Sequence, residues 1–442
     1  MNGFREAVQD RISSLLDRVD ELKQKQYPTP ASTALLKAVE SILSEIPPKL
    51  DAYDERFAAV QGESRRSHGH LSQLLSSLHE LMFIINETSR AKTPAALISS
   101  LRSTVRAQTG TRVELLIRPD SQGIRYAYED LGKWIRQVLR ETGDFVDAPD
   151  TGFPASLADG VVVLSYPAAE RNNVILHGIF LHEIGHHITE RAGVLQRITG
   201  EFPMEQWPTE WGNWIWEFAA DLAAIRLAGP AYLFSIYQSM LATEVLDLAS
   251  DTHPPPWLRV RLMIDELRAA RFFEEGCVPP AVLAQIKRWE EDLSAAEALS
   301  RAEFVENPST GEFFAKIEEV LPHVAEGVRD AMPDAFTAET YRCECPKLGA
   351  QLRQFMPLNG WYDPDTDTWP IASFAGILNT GWNFVIGELD GFYAEVNVDK
   401  RAEQDELRRR VFDLIAKSVE FAQLRRDVEA TRPSPVMPEQ VA

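Results

Sequence analysis

The segment that most constrains this chain is His182-Glu183-Ile184-Gly185-His186. Residues four apart on an α-helix lie on one face, one turn apart. On a helix, His182 and His186 therefore aim two imidazoles at one point, and Glu183 stands beside that face. Leu181, Ile184 and Ile188 fall on the opposite face, so the helix has a core side and a site side. Five of the nine histidines lie between residues 177 and 253. His177 falls on the core side and reads as a packed, hydrogen-bonded histidine. His187 is rotated about 100° off the paired face, which suits a solvated ring or one bonded behind the ligands.

Two imidazoles at this spacing can share one Zn²⁺ at about 2.0–2.1 Å from each ring nitrogen. Glu183 is placed to take a proton from a metal-bound water rather than to bind the metal. A catalytic zinc needs a third protein ligand and one open position. Glu190 is too distant, because eight residues of one helix span about 12 Å of rise. The better candidate is Glu217, in the helical stretch Trp216-Glu217-Phe218-Ala219-Ala220-Asp221. Glu217 and Asp221 share a face; the first can ligate, and the second can accept the other ring N–H of a ligating histidine and fix its tautomer. Alanines at 219, 220, 223 and 224 allow close approach of this helix to the first. The alternative is an ordinary solvated acidic face, against which the tryptophan- and alanine-rich setting argues.

The HExxH segment followed by ExxxD on a second helix resembles the gluzincin metallopeptidases. Asp251-Thr252-His253-Pro254-Pro255-Pro256-Trp257-Leu258-Arg259 adds an HPxxxxR segment, similar to that of the HtpX heat-shock protease and CAAX prenyl protease group. The three motifs occur in that group's order and cover residues 170–272. A metzincin is not indicated, since Ala192 and Thr189 stand where that class has histidine and glycine. The resemblance implies a zincin-like core with His182, His186 and Glu217 as ligands and Glu183 as base. It also implies His253 near the site as an oxyanion donor, and Arg259 orienting site carboxylates or substrate. A histidine before three prolines sits on a rigid segment, which suits a preorganised donor; it can equally cap the next helix. Arg261 is an alternative to Arg259. The chain departs from the group in lacking transmembrane helices, so a soluble relative is expected rather than one acting on a membrane-embedded prenyl protein.

Charge and cysteine usage bound the partners. Asp and Glu number 66 against 45 Lys and Arg, a formal net charge of −21. That field repels phosphate backbones and anionic membrane surfaces, which argues against nucleic acid. Cys277, Cys343 and Cys345 cannot build a disulfide framework or a cysteine zinc site, and read as reduced thiols of a cytoplasmic protein. The N-terminus carries charges in every turn and no apolar core of a secretory signal. The longest apolar runs, such as Leu81 to Ile85 and Val174 to Leu181, are too short to span a bilayer.

At 442 residues the chain has room for two or three domains. Residues 1–110 read as a helical region. Phe4, Val8, Ile12, Leu15, Leu16, Val19 and Leu22 mark one face, Pro28 and Pro30 break that helix, and Pro47-Pro48 ends the next. Residues 111–275 form the expected zincin-like core. Strands are predicted at Val113 to Ile117 and Gly160 to Leu164, followed by a helix from about Glu170 to Arg191 and a tryptophan-rich loop at Trp207 and Trp211. The strand at Val161 to Leu164 is either a free edge able to take an extended peptide or an ordinary central strand. Residues 276–432 read as a second helical region, interrupted by a loop over 356–370. Residues 433–442 read as a flexible proline-rich tail. His79-Glu80 reads as helix surface, and His68-Gly69-His70 as part of a turn.

The expected fold is mainly α with a small β-sheet (α+β), a zincin-like core flanked by N- and C-terminal helical regions. The leading functional expectation is a soluble zinc-dependent endopeptidase acting on polypeptide, its helical arms available to a protein partner. Two alternatives stay open: an interaction protein with a structural or vestigial zinc site, and a zinc hydrolase of a non-peptide amide.

Overall fold

The computed structural model describes residues 2–57, 61–89, 95–120, 126–141, 160–202, 209–241, 252–306, 308–333 and 335–431. The chain divides into two compact units, residues 1–106 with 110–171, and residues 107–109 with 172–442.

In the first unit, α1 (Asn2–Lys23) buries Val8, Ile12, Leu15, Val19 and Leu22 along the face that their spacing predicts. That face joins Leu35, Val39, Ile42 and Ile46 of α2 (Pro30–Phe57) and Leu71, Leu74 and Leu78 of α3 (Gln61–Glu87) in one core. Pro30 opens α2, where a missing N–H is harmless. Pro47 and Pro48 do not end this helix as expected; it continues through them to Phe57. A proline inside a helix costs about 3 kcal/mol, but Ile42, Leu43, Ile46 and Leu50 are all buried on either side, and their packing outweighs that cost. His68-Gly69-His70 lies inside α3 rather than in a turn, whereas His79 is on its exposed surface as expected.

After α4 (Ala95–Thr109) come strand β1 (Glu114–Asp120), β2 (Ala127–Asp130), helix α5 (Leu131–Glu141) and β3 (Val161–Pro167). The sheet order is β1-β3-β2. β3 pairs in parallel with β1, Glu114 opposite Val161, and antiparallel with β2, Tyr128 opposite Leu164. All seven of its residues are buried. Of the two readings of this strand, the central one is therefore correct, and an edge open to an extended peptide is not available there. Leu116, Val161 and Val163 complete the core formed by α1, α2 and α3. The strands thus belong with the N-terminal helices, which differs from the expected partition at residues 110 and 275. A strand's allegiance is set by the apolar face it covers, not by its nearest neighbour in sequence.

The second unit is helical. The helix expected from Glu170 begins only at Phe180, after the 3₁₀ turns Ala168–Glu170 and Leu176–Ile179. It is α6 (Phe180–Arg191), followed by α7 (Val194–Glu201), α8 (Thr209–Ala228), α9 (Pro230–Leu241) and α10 (Pro256–Ala269). Then come α11 (Pro280–Glu306), α12 (Pro308–Ala331), α13 (Ala338–Arg353), α14 (Phe374–Gly387), α15 (Leu389–Glu395) and α16 (Arg401–Thr431). α8 is the hub; it packs against α6, α7, α9, α10, α12 and α14. Trp211 is fully buried within α8 rather than in a loop, and Trp207 lies outside the described residues. The 356–370 segment is irregular, braced by bridges Gly360 to Ile371 and Asp363 to Thr368. Val411, Ile415 and Val419 of α16 are buried as their periodicity predicts. The tail at 433–442 lies outside the described residues. The fold is mainly α with one small sheet, as expected. Among the described residues no helix is long and apolar enough to cross a membrane.

Candidate metal centre

The paired-histidine segment forms a helix buried from Phe180 to Thr189, its polar side chains included. Gly185 explains how a second helix comes so near. A Cβ at this position would stand 2.7 Å from the backbone oxygen of Ala220 and 3.2 Å from the Cβ of Ala223. The absent side chain on α6 and the alanines on α8 let the two backbones approach, and the approach carries Glu217 to the histidines.

His182 Nε2 lies 3.2 Å from Glu217 Oε2, and His186 Nε2 lies 3.4 Å from Glu217 Oε1. Ligand atoms that each stand about 2.0–2.1 Å from a tetrahedral zinc are separated by about 3.3 Å. The donors of His182, His186 and Glu217 all fall within 4.8 Å of one another, the only such group of three or more among the described residues. Glu217 is 5% exposed, and its Oε2 has no hydrogen bond. Among the described residues that oxygen is met only by ion-pair contacts, His182 Nε2 at 3.2 Å, Arg259 Nη2 at 3.5 Å and His253 Nε2 at 3.6 Å, so a cation among these donors would add to its neutralisation. Two imidazoles and a carboxylate are also the nitrogen and oxygen donors that zinc accepts. The residues present fit a divalent cation.

Behind His182 stands Asp221, fully buried. Arg259 donates to it twice, Nε to Oδ2 at 2.7 Å and Nη2 to Oδ1 at 2.8 Å. Tyr232 Oη donates to Oδ1 at 2.5 Å, and His182 Nδ1 lies 2.9 Å from the same oxygen. An ionised carboxylate only accepts, so His182 keeps a proton on Nδ1 toward Asp221, and a cation beside Glu217 would take the place of the proton on Nε2. Burial opposes ionisation of Asp221, but Arg259 and then His182 hold its carboxyl below the usual range.

Electrostatics separate the two glutamates. Burial pushes the Glu183 carboxyl up to about 7, against the opposing pull of His182. Burial acts the same way on Glu217, yet His182, His186 and Arg259 together hold it well below the usual carboxylate range. Burial, reinforced by His182, lowers His186 to about 4, which favours the neutral, ligating ring. For His182 burial also opposes the charge, but Asp221 and Glu217 outweigh it and raise the ring to about 10. Carboxylates that hold a proton on His182 so firmly provide the same attraction to a cation.

The structure brings all the expected residues to this place, with one distinction. Arg259 is buried against Asp221, 3.5 Å from Glu217 Oε2, and Arg261 pairs with Glu297 instead. Of the two arginines, Arg259 belongs to the site. Its contacts are with carboxylates, so it orients them. His253 Nε2 lies 3.6 Å from Glu217 Oε2, and this side chain is 44% exposed, the most accessible of the set. Its Nδ1 is 2.8 Å from Thr252 Oγ1. Three prolines follow, and Pro256 opens α10. His177 is buried beside Phe180, which bears out the packed part of the expectation. His187 is also buried, which rules out the solvated reading.

Sequence reasoning missed Tyr232 and the packing of Trp216, whose ring centroid lies 3.7 Å from that of His186. A tyrosine in an apolar helical run reads as core. The available signal was Gly229-Pro230, which closes α8 and starts a new helix immediately before it. No family model matches the chain, and comparison with curated proteins and with solved structures returned no match.

Proposed function

We propose that this chain is a soluble, cytoplasmic zinc-dependent peptidase of the gluzincin kind, cleaving polypeptide. The observation that carries the reading is the convergence of His182, His186 and Glu217 within 4.8 Å, with Glu183 buried beside them. Three converging donors leave a position for water, whereas a purely structural zinc site is closed by four. That supports a catalytic site over a structural one.

His182, His186 and Glu217 would hold a zinc ion there, which would supply Lewis acidity toward the scissile carbonyl and toward a water. Glu183 accepts the proton of that water and delivers it to the leaving amine nitrogen. Its carboxyl, raised by burial, suits both halves of the transfer near neutral pH. His253, accessible and aimed by Nε2 into the site, donates to the oxygen that gains charge. Arg259 and Asp221 keep His182 in the Nδ1–H form and Glu217 ionised.

Zinc quantification combined with a peptide-library digest tests this. The wild-type chain is expected to hold one zinc and cleave peptides, Glu217→Ala to lose both, and Glu183→Gln to keep zinc and lose cleavage. Peptide cleavage by zinc-loaded Glu183→Gln would refute the mechanism.

A further inference from the structure

We propose that Tyr232 is a positioning residue of the cation site, its hydroxyl holding Asp221 in the orientation that presents His182 Nε2 to the metal. This rests on the zinc reading above and adds a residue to it.

The case begins with how Tyr232 is held. Gly229, at φ +58°, ends α8 in the left-handed conformation, and Pro230 starts α9. The turn between them is clamped by one side chain. Asn379 of α14 donates from Nδ2 to Ala228 O at 2.6 Å and accepts from Ala231 N at 2.9 Å. One turn further along α9, Ser235 donates to Ile175 O at 2.8 Å, tying α9 to the segment that leads into the histidine helix. Tyr232 is thus the third residue of a helix fixed at both flanks, and it is fully buried.

The hydroxyl is the one polar atom that this side chain brings into the site. It lies 2.5 Å from Asp221 Oδ1 and 3.2 Å from His182 Nδ1. Because Nδ1 keeps its own proton for Asp221, the tyrosine proton also goes to Asp221. Oδ1 then receives donors from three directions: His182 on α6, Tyr232 on α9 and Arg259 on α10. Arg259 alone leaves the carboxylate able to pivot about the guanidinium plane. A donor from a third helix removes that freedom. The charge on Asp221 is governed by the two bonds of Arg259, so losing the neutral hydroxyl changes its position more than its charge.

The test is Tyr232→Phe in the full-length chain, which keeps the ring and removes the oxygen. Two quantities are read: the zinc dissociation constant by chelator competition, and the zinc-induced rise in Tm. A ligand that binds only the folded state raises Tm by an amount set by its affinity. Partners behind a metal ligand typically contribute 10- to 100-fold in affinity, and a neutral donor belongs at the lower end. The expected result is zinc binding weaker by about tenfold and a smaller zinc-induced rise in Tm. Substituting Asp221→Asn in the same background should then cost less than it does alone, because the two changes share one interaction. A lower Tm in the zinc-free variant with unchanged zinc affinity would overturn the proposal, and so would a variant that fails to fold, since either assigns the hydroxyl to stability. A wild-type chain that binds no zinc would remove the metallopeptidase reading itself, whereas normal zinc binding by Tyr232→Phe removes only the role of Tyr232.

Discussion

Two buried glutamates of the helical unit, Glu217 and Glu266, are both about 95% buried, yet their partners differ in kind. Glu266 on α10 is gripped by Arg329, whose Nη2 lies 2.5 Å from Oε2, and by Arg226 at 3.4 Å. Arg226 also donates to Met332 O at 2.7 Å. Permanent cations of the chain neutralise this carboxylate and join α8, α10 and α12. Glu217 faces two imidazoles and leaves one oxygen without a hydrogen bond, although Arg259 stands 3.5 Å away. A buried acid neutralised by arginines is a structural clamp. A buried acid whose nearest partners are imidazoles, which can give up a proton to a metal as arginine cannot, is arranged for a guest.

The sharpest way to break that contrast is to remove each acid. Glu217→Ala is expected to weaken zinc binding more than about a hundredfold, since losing a ligand exceeds the 10- to 100-fold cost of losing an outer partner. Its effect on zinc-free stability should be far smaller. Glu266→Ala should do the reverse, leaving zinc affinity unchanged and destabilising the fold by about 3 kcal/mol. That is the low end for a buried pair broken on one side, because Arg329 is 45% exposed and regains water. Zinc titration and urea unfolding of both variants decide it. If both lose stability equally and neither loses zinc, the distinction fails.

Next in size is Gly185→Ala. Its methyl group would meet the backbone of Ala220, which cannot rotate away. Overpacking of this kind costs roughly 1–3 kcal/mol. The helices would separate at the point that brings Glu217 to the rings, so zinc affinity should fall together with Tm. A fall in Tm without loss of zinc would show that the ligand geometry does not depend on this crossing.

Much of this site was legible because its spacing is local. His182 with His186, and Glu217 with Asp221, are i,i+4 pairs whose common face follows from helix geometry alone. The alanines of α8 signalled a close crossing, whereas the part of Gly185 in it shows only in the structure. Tyr232 was not legible, because its role depends on a hydroxyl meeting a carboxylate of another helix, and nothing in an apolar run marks one ring as polar in purpose. The unit boundary was hidden for a similar reason. β3 precedes the histidine helix in sequence but covers the core of α1 to α3. The run Val161-Val162-Val163-Leu164 marked a strand but left edge and centre open, because the pairing partners on either side are set by chain segments far from it in sequence; its place between β1 and β2 decides for the centre.

The pH response of the zinc-free chain sharpens the contrast between Glu183 and Glu217. Burial raises Glu183 from an ordinary carboxyl to about 7. A group whose folded pKa lies above its unfolded value binds its proton more tightly when folded. Its contribution is therefore greatest below about 4.5 and is lost as pH rises to about 7. Glu217, held well below the usual range, has the opposite sign and contributes above the unfolded pKa. Glu183→Gln should flatten the decline of zinc-free stability between about pH 4.5 and 7, whereas Glu217→Gln should leave that window unchanged and remove a rise in stability confined to pH below about 4.5. Unfolding curves at several pH values would show this, and equal slopes in wild type and Glu183→Gln would mean that Glu183 is solvated.

The smallest structural effect belongs to His253. This side chain is 44% exposed and meets Glu217 only at 3.6 Å. Exposed substitutions usually change stability by no more than about 0.5 kcal/mol, so His253→Ala should leave Tm and zinc content near wild type. Removing a donor aimed at a developing oxyanion costs about 10²–10³ in kcat, so peptide turnover should fall by that factor. His253→Gln, which keeps an N–H donor, should recover part of it. The comparison with Tyr232 is informative, because the buried hydroxyl should alter zinc affinity and the exposed ring should alter turnover alone. A His253→Ala chain that loses zinc would instead make His253 a ligand, and the open position assigned to water would then belong to the protein.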